Sequence, residues 1–140
     1  MADYPGPLPV PTPESRPYWE ALKRHELSLQ RCRACGRYYF YPRSNCPHCL
    51  SGEVEWQRVS GRGTLHTFTI VHRGLRGFPI APTYVLAVVE LEEGPHLMTN
   101  LVGCPHDPAK IRIGAAVEVV FADVTPAWTL PHFRLAGGAV

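Results

Sequence analysis

From residue 63 to residue 136 the chain alternates apolar and polar positions in short runs. These are "GTLHTFTIVHR" (63–73), "TYVLAVVELEE" (83–93), "HLMTNLVG" (96–103), "AAVEVVFADV" (115–124) and "HFRLA" (132–136). Gly, Pro or Asp separates them, and no helical period intervenes, so each run reads as a strand. Five strands in this span predict a small closed or partly closed β-barrel. The five-stranded oligonucleotide/oligosaccharide-binding (OB) type is the candidate, although other small barrels share the pattern.

The first half follows different periods. In "TPESRPYWEALKRHEL" (12–27), Tyr18, Trp19 and Leu22 fall on adjoining turns of one side. Thr12 or Ser15 can cap the start, and proline is tolerated in a first helical turn. A short amphipathic helix ending near Glu26 is predicted, with its aromatic side packed on its own protein or, alternatively, docked on a partner. Before it, five prolines among residues 1–13 disfavour helix and predict an extended arm, with Tyr4, Leu8 and Val10 able to lie on a surface. After it, "LSLQRC" reads as a strand and "YYFYP" as its returning partner. The expected partition is an arm at 1–14, a helix with a metal ribbon at 15–52, and a barrel at 53–140.

Composition supports this mainly β reading: 15 prolines and 12 glycines in 140 residues imply many turns. The net charge of +2 conceals an asymmetry that changes the picture more. Residues 1–76 hold eleven Lys/Arg against six Asp/Glu, whereas residues 77–140 hold three against six. A basic first half suits an anionic neighbour, such as metal-bound thiolates, a phosphorylated ligand, nucleic acid or an acidic partner. No apolar run approaches the roughly 18 residues of a membrane span. The first residues lack the pattern of a secretory signal. A cytoplasmic chain with reduced or metal-bound cysteines is the expectation.

Four of the five cysteines lie in "CRACGRYYFYPRSNCPHC" (32–49). Cys32 and Cys35 form one Cys-x-x-Cys pair, Cys46 and Cys49 another. Two such turns facing each other across a hairpin build a closed tetrahedral S4 site, which zinc favours; iron shares the geometry. A redox motif needs only one pair, and a disulfide framework does not suit a chain without an export signal. Gly36 after the first pair can take positive φ, while Leu50, Ser51 and Gly52 follow the second. Four thiolates on a divalent ion leave a charge near −2. Arg31, Arg33, Arg37 and Arg43 lie beside them, either to offset that charge or to bind phosphate.

Catalytic candidates are thin. "GCPHDP" (103–108) gathers Cys104, His106 and Asp107, but so short a proline-containing loop reads as a turn. His66 and His72 sit on one predicted strand and read as satisfied or surface histidines. A closed zinc site does not activate water.

The order of these features is specific. "PYWEALKRHELSLQRC", the cysteine segment, "VEWQRVSGRGTLHTFTIVHR", "YVLAVVELEEG" and "KIRIGAAVEVVF" together resemble the acyl-CoA-associated family catalogued as domain of unknown function number thirty-five. The resemblance spans residues 15–124. It implies an N-terminal helix and rubredoxin-like zinc ribbon joined to a C-terminal OB-fold. It also implies a non-catalytic accessory subunit, in a hetero-oligomer with a thiolase-like or related acyl-CoA enzyme (thiolase, acyltransferase or retro-aldolase). CoA or acyl-CoA is then a candidate shared ligand. Its phosphates call for Arg or Lys, and its adenine for an aromatic or apolar surface. Arg33, Arg37, Arg43 and Tyr39 in the hairpin, with Arg58 and Arg62 at the ribbon–barrel junction, are the candidate CoA contacts; Tyr38 and Tyr41 flank them. The alternative is a single-stranded nucleic-acid-binding protein, since ribbons and OB barrels both serve that role. The acidic second half argues against it.

Overall fold

The computed structural model of the protein describes residues 4–136. The helix α1 (Arg16–Lys23) is followed by a three-stranded antiparallel sheet of β1 (Ser28–Cys32), β2 (Tyr38–Tyr39) and β3 (Val54–Arg58), in the order β2-β1-β3. Five further strands then close a barrel: β4 (Arg62–Val71), β5 (Tyr84–Leu91), β6 (His96–Leu101), β7 (Ala116–Asp123) and β8 (Thr129–Leu135). The barrel order is β4-β5-β6-β8-β7, with β7 pairing back onto β4. All five barrel runs expected from the alternation are present, and closure with five strands agrees with an OB-fold.

Alternation decides the barrel's inside. On β5, Val85, Ala87, Val89 and Leu91 are buried, and on β6 Leu97, Thr99 and Leu101. Facing residues such as Glu90, His96 and Met98 stay exposed. Tyr18 and Leu22 of the helix, and Leu27 and Leu29 around β1, join this same core. The aromatic side of the helix is therefore spent within the chain rather than left for a partner. A second, smaller core holds Cys32, Tyr39 and Cys46.

Three local features depart from the sequence expectation. The helix begins without a side-chain cap: Ser15 Oγ accepts the Thr12 N–H (2.9 Å) instead of bonding to the helix, and Pro17 occupies the first turn. It stops at Lys23, before Glu26. There the Glu26 N–H bonds Ala21 O (3.0 Å) and the His25 N–H bonds Leu22 O (2.9 Å), with His25 at φ 59°. That is a Schellman ending with histidine where glycine is usual. "EVEWQR", whose local pattern marks no element, supplies β3 and pairs with β1 in continuous register from Ser28↔Arg58 to Cys32↔Val54. The ribbon sheet thus runs past residue 52, and Val59–Gly61 turns the chain into the barrel.

One glycine is required for closure. A Cβ on Gly63 would lie 2.2 Å from the carbonyl oxygen of Glu90 on the neighbouring strand.

Candidate metal centre and the adjoining groove

The four ribbon cysteines converge. Cys32 ends β1 and Cys35 follows in the turn before β2, while Cys46 and Cys49 occupy the loop between β2 and β3. Their sulfurs all lie within 4.8 Å of one another, at 3.5 Å for Cys32–Cys49 and 3.7 Å for Cys35–Cys46. A tetrahedral ion with metal–sulfur bonds of about 2.3 Å sets sulfurs about 3.8 Å apart, so the spacing fits. Cys32 and Cys46 are fully buried; Cys35 and Cys49 face outward.

Both turns have the same construction. In the first, the Gly36 N–H bonds Cys32 O (2.8 Å) and the Cys35 N–H points at Cys32 Sγ (3.4 Å). In the second, the Leu50 N–H bonds Cys46 O (2.8 Å) and the His48 N–H points at Cys46 Sγ (3.3 Å). The residue after each pair adopts the left-handed conformation, with φ 80° at Gly36 and φ 67° at Leu50. The second turn does manage without glycine, and a leucine carries the backbone conformation that glycine provides in the first.

Backbone donors set the thiols. The Cys35 N–H is the main cause that lowers Cys32 to about 7. Burial pushes Cys46 up, yet the N–H groups of Cys49 and His48 outweigh it, and the net shift is downward. At Cys49 the Ser51 N–H pulls down, but the neighbouring sulfurs and burial together raise the thiol to about 12. A cation among the sulfurs would relieve that mutual competition and hold all four as thiolates. The donor set therefore fits a thiophilic ion such as zinc, held by Cys32, Cys35, Cys46 and Cys49, with no open position for catalysis.

The arginines around the ribbon separate into distinct roles. Arg31 Nε donates to Gly36 O (3.1 Å), and its guanidinium sits 5.8 Å over the Tyr38 ring, bracing the first turn. Arg37 and Arg43 line a groove of about 670 Å³ between the ribbon and the barrel. Arg37 Nη1 lies 3.4 Å from His48 Nδ1. Tyr39 also borders this groove, although its hydroxyl is committed to Arg43 O (3.1 Å). The opposite wall is the β5–β6 turn, Glu93-Gly94-Pro95, with His96. Arg33 and Arg58 are exposed outside that lining, and Arg62 is paired with Glu92 at 3.2 Å. The structure thus brings together three of the six candidate CoA contacts.

Two groove features escaped the sequence reading. Gln30 is buried and its Oε1 accepts the Arg43 N–H (2.7 Å), which seats the loop that carries Arg43. The place of Gln30 in phase with Cys32, on the face opposite Leu27 and Leu29, was the available signal. The barrel wall had no local signal, because it approaches the ribbon only through folding. The Cys104 loop behaves as a turn: Asp107 Oδ1 accepts the Ala109 N–H (2.9 Å), and burial raises the Cys104 thiol.

Comparison with known proteins agrees with this geometry. The family model for the ChsH2 rubredoxin-like zinc ribbon domain matches residues 19–55, and that for the ChsH2 C-terminal OB-fold domain matches residues 56–122. A DUF35 domain-containing scaffold protein of Methanothermobacter thermautotrophicus is 37% identical over 73% of this chain and 76% of its own length. The chain belongs to the DUF35 family. Another relative of this DUF35 chain, the benzoylsuccinyl-CoA thiolase subunit BbsA of Geobacter metallireducens, is 31% identical over 71% of this chain and 61% of its own length. A solved structure titled "Ltp2-ChsH2(DUF35) aldolase" contains a chain 36% identical to this one, with a TM-score of 0.81 over 92% of this chain and 99% of that one. The chain spans about 40% of the length of a further relative, a probable enoyl-CoA hydratase alpha subunit of Thermomonospora curvata. Among the described residues, no helix is long and apolar enough to cross a membrane.

Proposed function

We propose that this DUF35 chain is a non-catalytic accessory subunit that scaffolds a thiolase-like acyl-CoA enzyme in a hetero-oligomer. The observation that carries this reading is the likeness, along nearly its whole length, to the DUF35 chain of the Ltp2-ChsH2 aldolase. The thiolase subunit and scaffold names of other relatives support it. Within the chain, a closed S4 centre offers no reactive position, and a turn that raises the Cys104 thiol offers no nucleophile. The nucleic-acid alternative is set aside. Strand β5 and the turn after it present Glu90 and Glu92 outward on a face that would need arginines and stacking aromatics.

The groove between ribbon and barrel is the CoA contact within this reading. Arg37 and Arg43 supply cations for phosphate, and Tyr38, Tyr39 and Phe40 supply the aromatic wall. The first test mixes the purified chain with its thiolase-like partner at micromolar concentration and follows complex formation by size exclusion. Failure to associate would sink the scaffold role. The second measures CoA affinity of the assembled pair: Arg37→Ala and Arg43→Ala each weaken it by about tenfold or more, with the complex intact. Unchanged affinity in both variants removes CoA from this groove while leaving the scaffold role standing.

A further inference from the structure

Away from the cysteines, three side chains from three adjacent strands meet on the outer face of the barrel. They are His66 on β4, Glu90 on β5 and His96 on β6, all exposed, with their ligating atoms within 4.8 Å of one another. The sheet register explains the meeting. Glu90 is the direct cross-strand partner of His96 and, on its other side, of Thr64. Between β4 and β5 the pairing steps from Leu65↔Val89 to Thr67↔Val88, so His66 is the extra residue of a β-bulge. A bulge re-aims a side chain, and bulges recur next to functional sites. Here Leu65 points into the core, both His66 and Thr67 stay outside, and the His66 ring lies against that of His96 with centroids 4.5 Å apart.

Two imidazoles and one carboxylate converging from three strands, with solvent on the fourth side, form a recognised donor set for divalent transition metals. His96 Nε2 and Glu90 Oε1 are 3.6 Å apart. Tetrahedral ligands at about 2.0–2.1 Å from an ion stand about 3.3 Å from each other, so small side-chain rotations complete the triangle. An ordinary solvated ion pair accounts for Glu90 with one histidine, but not for the second ring held beside the first by a bulge.

We propose that His66, Glu90 and His96 form a second metal site, taking a divalent ion of the zinc class through two nitrogens and one oxygen. It differs in kind from the ribbon centre: three protein ligands leave a position open, where the four cysteines leave none. His96 also borders the ribbon–barrel groove, so the open position can take water or an anionic oxygen of a molecule lying there. The inference rests on the donor geometry and holds whatever that molecule is.

The test uses the full chain with its ribbon already filled by one equivalent of zinc, confirmed by metal analysis after desalting. Titration with Zn2+ by calorimetry should show one further equivalent, and Co2+ should add the weak visible bands of a nitrogen–oxygen site. His66→Ala and His96→Ala, both at exposed positions, should each weaken this second equivalent by about 10–100-fold or more, and Glu90→Gln should weaken it too. His72→Ala, an exposed histidine beyond the end of β4, should leave it unchanged. In the unmodified chain, Zn2+ should move the ring resonances of His66 and His96 together, a readout that does not depend on any variant folding. The proposal is overturned if only the ribbon equivalent binds, if His96→Ala retains the second at full affinity, or if His72→Ala loses it equally.

Discussion

At the residue scale, the two cysteine turns carry the same backbone with different residues, and that difference is measurable. A non-glycine residue in the left-handed region costs about 1–2 kcal/mol. Leu50 bears that cost with its side chain 76% exposed, so it gains little from burial in return. Leu50→Gly should therefore raise stability by about 1 kcal/mol in denaturant unfolding. Gly36→Ala should lower it by a similar amount; no gain from Leu50→Gly, or no loss from Gly36→Ala, would contradict the matched-turn reading. A second residue-scale prediction concerns Asp123. Its carboxylate accepts the Thr129 hydroxyl (2.5 Å) and lies 3.0 Å from His25 Nε2, and these partners, Thr129 first, hold its pKa below the usual value. A lowered folded-state pKa contributes stability above the unfolded value, about 3.9, and that contribution disappears as pH falls through the folded value. Asp123→Asn should lower Tm at neutral pH, and the gap to the unmodified chain should close below pH about 4. A gap that persists at low pH would place the effect elsewhere.

At the element scale, the ends and seams of the strands and helix decide how the two halves fit. The helix stops where His25 turns left-handed, and its ring then stacks on Phe121 of β7 at 5.2 Å with an 8° tilt, beside Asp123. A glycine would make that ending easier but would supply no clasp to the barrel, which accounts for the histidine. The β4–β5 seam is set by Gly63. A methyl group there meets the Glu90 backbone, which cannot move aside as a side chain could. Gly63→Ala should destabilise the protein by about 1–3 kcal/mol, seen as a lower denaturant midpoint. It should also weaken the pairing that positions Glu90 beside His96.

At the scale of the whole molecule, the distribution of apolar residues separates the metal loops from the rest. Cys32, Tyr39 and Cys46 form their own small core, whereas Leu27 and Leu29 belong to the main core with the helix and barrel. Removing zinc with a chelator, or Cys46→Ser, should therefore loosen residues 33–53 while the barrel persists. Amide exchange should show protection lost in the ribbon loops and retained on β5 and β6. Simultaneous loss everywhere would mean that the metal holds the entire fold. Because the groove has one wall in the ribbon and one in the barrel, the same treatment should abolish the proposed CoA contact of the complex before it unfolds the barrel.

Local pattern alone determined much of this protein. Period-two alternation marks the barrel strands because one face must be dry and the other wet, and paired Cys-x-x-Cys spacing marks an S4 centre because short turns aim sulfurs at one point. Neither depends on distant residues. The end of the helix at His25, the strand role of Val54–Arg58 and the gathering of Arg37 and Arg43 in the groove, apart from Arg33, Arg58 and Arg62, depend on partners far along the chain. Those partners are Phe121 and Asp123, β1, and the Glu93-Gly94-Pro95 wall. The meeting of His66 with His96 belongs to the same class: a bulge is a mismatch between two strands, and a single strand's sequence carries only one side of it. Tertiary structure decided these features because each is a relation between segments rather than a property of one.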